Sequence, residues 1–328
     1  MKNRAWWYQR MGIFVLAMVM IVGSAFLGSV QALDGVSVHG QLRVDGINLV
    51  DHTGMPTTLH GMSTHGMQWF GKFASAGSFR TLRDKGANVI RIAMYTDEGG
   101  YISNPSIKNT VYQAMDAAIA NDLYVIVDWH ILHDGNPRTH ETEAASFFDE
   151  TAARYSHTPA VLYEICNEPN GNVSWNEDIK PYAEHIIPII RAHAPEAVVL
   201  VGTPTWSQDV NVAADSPLAE KNVMYTCHFY AGTHGADLRN KIDAARQKGA
   251  AVFVSEWGTS AADGNGGPYI ENSRQWLDFM KQRQMRWVNW SLCDKNESSA
   301  ALQPGASTDG GWTDANISAS GRFVFSQF

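Results

Sequence analysis

Two acidic residues stand where chemistry could use them. The stretch 161–169 (VLYEICNEP) is a short apolar run that breaks off in Asn167-Glu168-Pro169. The stretch 251–258 (AVFVSEWG) has the same design and presents Glu256, 88 residues further on. Each reads as a strand buried on both faces, as the strands of a parallel sheet are. Pro169 cannot donate a ladder hydrogen bond and is expected to end the first strand. Glu168 and Glu256 then lie at the carboxyl ends of two buried strands, the end at which α/β proteins keep their chemistry. One such glutamate would be an ordinary salt-bridge partner, but a matched pair points to catalysis.

The elements that must hold this pair recur along the chain. Apolar strand-like runs fall at 58–62, 88–95, 124–130, 161–167, 197–202, 222–229, 251–257 and 286–292. Helix-like segments follow most of them, at 106–121, 143–156, 179–193, 236–248 and 269–284, with a last one at 320–328. In 106–121, Val111, Met115, Ala118 and Ile119 share one face. The segment 209–214 after the fifth run is short and poorly helical. Strands alternating with helices predict a parallel sheet. Eight repeats predict a single-domain α/β fold, a (β/α)8 TIM barrel, preceded by a short N-terminal β-hairpin around Gly46. An open doubly wound sheet is the alternative, but no GxGxxG follows an early strand. No Pro- or Ser-rich linker marks a second domain.

If the barrel is right, the ends of the runs converge. They carry His65 and Trp69, Arg91 and Tyr95, Trp129 and His130, Asn167 and Glu168, Trp206, His228 and Tyr230, Glu256, and Trp290. Arg91 lies inside an apolar run and needs a buried anion, for which Glu256 is the attractive candidate. Trp69, Trp206 and Trp290 at a cleft mouth would be flat platforms for a ligand with an apolar face, as a sugar ring has.

Composition narrows the partner. An apolar share of 45% and a charged share of 18% describe a globular protein. The net charge of −8 carries no basic footprint for nucleic acid and would repel an anionic substrate. A neutral polymer meets no such penalty. Residues 1–32 are of another kind: Lys2, Arg4 and Arg10 precede an apolar run that ends in Val30-Gln31-Ala32. This reads as a secretory signal peptide cut after Ala32, leaving 33–328 as the barrel, with an uncleaved anchor as the alternative. Cys166, Cys227 and Cys293 show no CxxC spacing, and each reads as a small buried hydrophobe with a free thiol.

With these residues in place, the sequence resembles the bacterial endoglucanases (cellulases) of glycoside hydrolase family 5, in their Bacillus-type branch. The matching strings run in order: 60–69 (HGMSTHGMQW), 88–95 (NVIRIAMY), 124–130 (YVIVDWH), 163–171 (YEICNEPNG), 202–209 (GTPTWSQD), 228–234 (HFYAGTH), 253–260 (FVSEWGTS) and 287–292 (WVNWSL), with Lys295 and Glu297 beyond. The resemblance extends from about His39 to the end. It implies the barrel and a retaining mechanism, with Glu168 as acid/base and Glu256 as nucleophile. It implies that Arg91 and Tyr230 contact the nucleophile, that Asn167 meets the substrate 2-hydroxyl, and that His228 neighbours the acid/base. His130 and Trp290 would line the cleavage subsite. His65, Trp69, Tyr95, Trp206, Lys295 and Glu297 would line more distant sugar subsites. The three cysteines, and Cys293-Asp294 before Lys295, depart from the usual pattern and bear on the shape of the distal subsites.

The expected chemistry is hydrolysis of β-1,4-glucan with no metal or cofactor, by a secreted monomer (extracellular or periplasmic) with no stable membrane association after leader cleavage. Two like charges close together push their pKa values apart. Arg91 and Tyr230 would keep Glu256 ionised, and Glu168, lacking a cation, would stay protonated until it acts. Two other readings compete. A metal-dependent barrel hydrolase would use His65, His130 and His228 as zinc ligands, although the His-x-His spacing on one strand is missing. A catalytically silent carbohydrate-binding barrel would not need Glu168 and Glu256. Mixed-linkage glucan, xyloglucan, mannan and xylan are alternative polymers.

Overall fold

The structure is a computed structural model that describes residues 34–328. The leader reading at 1–32 lies outside the described residues. Eight parallel strands close into a barrel in the order β10-β3-β4-β5-β6-β7-β8-β9. They are β3 (His60–Thr64), β4 (Val89–Tyr95), β5 (Tyr124–His130), β6 (Val161–Glu164), β7 (Val199–Val201), β8 (Val223–Tyr230), β9 (Val252–Gly258) and β10 (Trp287–Leu292). The expected hairpin is β1 (Arg43–Asp45) paired antiparallel with β2 (Asn48–Val50) around Gly46. All eight expected runs are barrel strands, and the alternation of strand and helix is the reason: each β-run is followed by a crossover that returns to the same edge.

The strand period of two sorts each run into an inner and an outer face. On β5, Tyr124 and Ile126 face the floor of the barrel, followed by Asp128 and His130 towards the mouth, while Val125, Val127 and Trp129 pack outwards against the helices. On β4 the inner series is Val89, Arg91, Ala93 and Tyr95. The interior is therefore layered. An apolar floor of Val89, Tyr124, Ile126, Leu162, Leu200, Met224, Phe253 and Val288 is closed from below by Leu42 and Leu49, which flank or lie in the hairpin. A polar middle layer follows, then an aromatic mouth with Tyr95 and Trp290. The hairpin thus covers an apolar barrel end that water would otherwise reach.

Two differences from the sequence reading have clear causes. First, β6 already stops at Glu164, before Pro169, because β7 is only three residues long and pairs no further than Glu164 with Leu200. Residues 165–168 are held instead by Ile165 N–H to Leu200 O at 3.0 Å and Asn167 N–H to Trp129 O at 3.2 Å. Second, a helix at Ala76–Asp84 went unseen. Gly77, Ser78 and Thr81 weaken its signal, but Phe79 and Leu82 are buried and Ser75 caps it by accepting the Ser78 N–H. Gly77 is required there: a Cβ would lie 2.2 Å from the Asp309 carbonyl oxygen. The segment 209–214 is a short helix, Val210–Asp215. All three cysteines are buried and unpaired. Among the described residues, no helix is long and apolar enough to cross a membrane.

Candidate active site

Arg91 anchors the polar layer. It is fully buried, and its guanidinium spends every face on a partner. Nε reaches Glu164 Oε2 at 2.7 Å, Nη1 reaches Glu256 Oε2 at 3.0 Å, and Nη2 reaches Asn167 Oδ1 at 2.6 Å and Asp128 Oδ2 at 3.0 Å. The expected pairing with Glu256 is present, and Glu164 and Asp128, which carry no exposure at all, pair with the same guanidinium. A planar fork with five donors is the side chain that can serve such a ring of acceptors. Burial would lower the Arg91 pKa, but the three carboxylates outweigh it and raise it.

Glu256 is held at both oxygens. Tyr230 donates its hydroxyl to Oε1 at 2.7 Å while Arg91 donates to Oε2. Burial and the neighbouring Glu256 and Glu168 push the Tyr230 hydroxyl up, so it remains a donor. Pairing shifts register between β8 and β9, and again between β9 and β10. The irregularity lets consecutive side chains Ser255 and Glu256 both reach the interior, where a regular strand would send one of them outwards.

Glu168 has the His228 neighbour that the resemblance implies, but not the cation-free setting expected for it. It is not free of a basic neighbour, because His228 Nδ1 lies 2.8 Å from Oε1. His228 Nε2 lies 3.0 Å from Ser255 Oγ, and Ser255 donates its own hydroxyl to Glu164 Oε1 at 2.7 Å. With the Ser255 proton committed to Glu164, Nε2 must be the donor to Ser255. Nδ1 then either accepts from a protonated Glu168 or donates to an ionised one. The pair holds one proton between them in both cases. Burial opposes the charged form of His228, but its contacts to Glu164 and Glu168 win and raise it to about 9. Burial likewise opposes ionisation of Glu164, and Arg91 and His228 overcome it to hold Glu164 at about 2.

These shifts set a pH dependence of stability. The raised His228 value means that its contribution is fully present below the ordinary value of 6.5 and is lost as pH rises through about 9. The contribution is on the order of 3 kcal/mol. The depressed Glu164 value acts at the other end: its contribution is present above the ordinary 4.5 and is lost as pH falls towards about 2. Thermal unfolding midpoints are expected to fall between pH 6.5 and 9 in the wild type, and His228→Gln is expected to flatten that limb. A wild-type midpoint constant across the interval would overturn this account.

His130 is oriented from behind by Asp128, whose Oδ2 lies 2.6 Å from its Nδ1. Burial, then Arg91, depress His130 to about 3, so its ring is neutral. Burial pushes the Asp128 carboxyl up against the pull of Arg91, with Glu164 and Glu256 adding to the push. His130 stacks on Tyr95 at 4.1 Å and on Trp290 at 5.4 Å between ring centroids. His65 lies 4.9 Å from Trp290 and is also neutral, lowered to about 3 by burial and then by Lys295 and His130. Trp69 closes the row edge-on to Tyr95 at 5.0 Å.

Above this floor opens a cleft of about 570 Å³. Twelve of the fourteen expected site residues line it, and the remaining two, Arg91 and Asn167, lie behind its wall. Trp69 and Trp206 are 45% and 46% exposed, the condition for a platform that a ligand can reach. Lys295 is pinned by Glu297 at 2.6 Å, and Glu297 is itself steadied by the Ser299 hydroxyl at 2.6 Å. Glu98, His133, Gln208, His234 and Asp263 also line the cleft and were not anticipated, since they lie in loops without strand periodicity. Among the described residues, Glu168, His228 and Glu256 bring ligand atoms to within 4.8 Å of one another. That grouping does not include His65 or His130, so the three-histidine zinc set is not assembled.

The family model described as cellulase (glycosyl hydrolase family 5) matches residues 50–296. The chain belongs to glycosyl hydrolase family 5. It is 54% identical to an endoglucanase of Clostridium saccharobutylicum over 95% of this chain and 70% of that one. It is 51% identical to endoglucanase 5 of Pectobacterium carotovorum, over 94% of this chain and 61% of that one. It is 57% identical to endoglucanase A of Evansella cellulosilytica, over 83% and 56%. The chain thus spans little more than half to about two thirds of these relatives' lengths. Among solved structures, the catalytic domain of alkaline cellulase K superimposes with a TM-score of 0.87 at 36% identity, covering 90% of this chain and 96% of that one. The catalytic domain of a Thermobifida fusca endoglucanase in complex with cellotetraose gives 0.85 at 39%, covering 89% and 98%.

Within this family 5 barrel, the residues that sequence reasoning missed are the buried supports Asp128, Glu164 and Ser255. One signal for them was available. Asp128 and Glu164 are acidic residues at inward positions of otherwise apolar strands, two residues before His130 and four before Glu168. A buried charge in such a run requires a partner.

Proposed function

We propose that this chain is a retaining endo-β-1,4-glucanase that hydrolyses internal bonds of cellulose and soluble β-glucans by double displacement. The observation that carries this reading is the carboxylate pair. An oxygen of Glu168 and an oxygen of Glu256 lie within 4.8 Å. Retaining glycosidases keep their carboxyl groups about 5–5.5 Å apart, against about 6.5–9.5 Å for inverting ones. In the first step the Glu256 carboxylate attacks the anomeric carbon while the proton shared by Glu168 and His228 passes to the departing glycosidic oxygen. In the second step Glu168 takes a proton from water, whose oxygen displaces Glu256 and regenerates both groups. Arg91 and Tyr230 hold the nucleophile at both oxygens and aim it. His130 and Trp290 border the reacting sugar, and Asn167 is assigned to its 2-hydroxyl. His65, Trp69, Tyr95, Trp206, Lys295 and Glu297 extend the sugar-binding surface along the cleft.

The reading continues to the whole protein: a leader cut after Ala32, release to the extracellular or periplasmic side, and action as a monomer. The endoglucanase names of the relatives support β-1,4-glucan as the polymer. NMR of freshly formed product tests the central claim. The β-anomer is expected first, with fast loss of viscosity in carboxymethylcellulose and lesser activity on mannan and xylan. The α-anomer first would overturn double displacement, and preference for mannan or xylan would overturn the substrate.

A further inference from the structure

We propose that Ser207 is a positioning residue that ties the exposed Trp206 platform and the carboxylate Glu168 into one rigid unit. The inference rests on the reading of Glu168 as the acid/base. Thr205, Trp206 and Ser207 are three successive non-glycine residues with φ of 59°, 54° and 56°. L-residues rarely adopt this left-handed conformation in succession, and it persists only where the surroundings over-determine it.

The surroundings here do so on both sides. On the inner side, Ser207 is fully buried, and its hydroxyl uses both of its capacities. It donates to the Asn167 carbonyl at 2.6 Å and accepts the Thr203 N–H at 3.2 Å. The Trp206 N–H donates to the Pro169 carbonyl at 3.0 Å. The two carbonyls so gripped, those of residues 167 and 169, bracket Glu168. On the outer side, Thr205 Oγ1 donates to Asp209 Oδ2 at 2.6 Å, and Lys241 Nζ holds Asp209 Oδ1 at 2.6 Å. Beyond Glu164 the segment keeps only the Ile165 N–H bond to Leu200 and the Asn167 N–H bond to Trp129 from its neighbouring strands, and these loop contacts add to that thinned ladder. The turn therefore does two things with one backbone. It presents the indole of Trp206 to the cleft, and it anchors the carbonyls of Asn167 and Pro169, the residues on either side of Glu168. A misplacement of about 1 Å at a reacting group costs about 10²-fold in rate, so a hydroxyl that holds the Asn167 carbonyl, next to Glu168, acts on the proton transfer without touching substrate.

The test uses Ser207→Gly and Ser207→Ala in the full chain. Glycine adopts a positive φ at no steric cost, so Ser207→Gly removes the hydroxyl and leaves the turn's backbone unstrained. Rates are compared on two aryl β-cellobiosides, one with a 2,4-dinitrophenol leaving group that needs no proton and one with phenol, which does. Thermal midpoints are recorded in parallel. Both variants are expected to lose about tenfold or more in kcat/KM on the phenyl substrate, part of the about 10²–10⁴-fold that a general acid contributes, and far less on the dinitrophenyl one. KM for soluble glucan is expected to rise as the platform loosens. Equal losses on both aryl substrates, following the thermal midpoint, would reduce Ser207 to a fold-supporting residue and overturn the proposal. Wild-type rates in Ser207→Gly would overturn it too. A wild-type protein inactive on both cellobiosides would overturn the functional reading itself, and this inference with it.

Discussion

Glu256→Ala is expected to abolish hydrolysis of unactivated β-1,4-glucans, while Glu168→Ala retains turnover of a substrate whose leaving group needs no protonation. The two carboxylates sit in different settings. Glu256 accepts from Arg91 and Tyr230 at opposite oxygens. Glu168 instead faces His228 Nδ1 at 2.8 Å. Loss of Glu168 should lower kcat on an ordinary glucoside by about 10²–10⁴-fold, the usual worth of a general acid. Azide distinguishes the roles by stereochemistry. In Glu168→Ala, azide attacks the glycosyl-enzyme from the face opposite Glu256 and should yield the β-glycosyl azide. In Glu256→Ala, it enters from the vacated side and should yield the α-azide from an activated substrate. Product NMR reads the outcome, and the opposite pairing of anomers would exchange the two roles.

Arg91→Met is expected to destabilise the fold by about 3–5 kcal/mol, as removal of one partner from a buried ionic cluster does. Its guanidinium faces Asp128, Glu164 and Glu256, and the first two are fully buried. Without it, three acidic groups share one low-dielectric layer, and at least one must take up a proton or water must enter. Arg91→Lys keeps the charge but replaces a fork with a single point of contact, so it should recover part of the stability and little of the activity. Glu164→Gln in the Arg91→Met background should restore some stability by removing one uncompensated charge, a coupling that a double-mutant cycle measures. Denaturant unfolding at pH 7 gives each value. A loss below about 1 kcal/mol for Arg91→Met, the scale of an exposed ion pair, would show that the cluster does not hold the barrel centre together.

The supports proved harder to read than the groups they support. Glu168 and Glu256 stand at the ends of apolar runs, where a polar residue is conspicuous. Glu164 and Asp128 stand inside such runs, and nothing local says which buried cation answers them. Arg91 inside an apolar run calls for a buried anion, and Glu256 answers it at 3.0 Å. Its closest carboxylate is Glu164, on a strand two places round the barrel. Ser207 gave no sign at all, because a serine beside an exposed tryptophan resembles any loop serine.

The barrel and the convergence of the two glutamates were legible in the amino-acid sequence. These follow from local periodicity: apolar runs of strand length alternate with amphipathic helices, and parallel strands joined by right-handed crossovers leave every carboxyl end at one mouth. The hydrogen-bonding partners behind the site were not legible there. The Arg91 contact with Glu164, the Ser255 link to Glu164, and the left-handed turn under Trp206 each join residues far apart in the chain through contacts of about 3 Å. Burial makes those contacts matter, since a polar group removed from water must find its partner wherever the fold brings one. Sequence periodicity reports which face of a strand is buried, and it carries no information about which neighbour a buried polar atom meets.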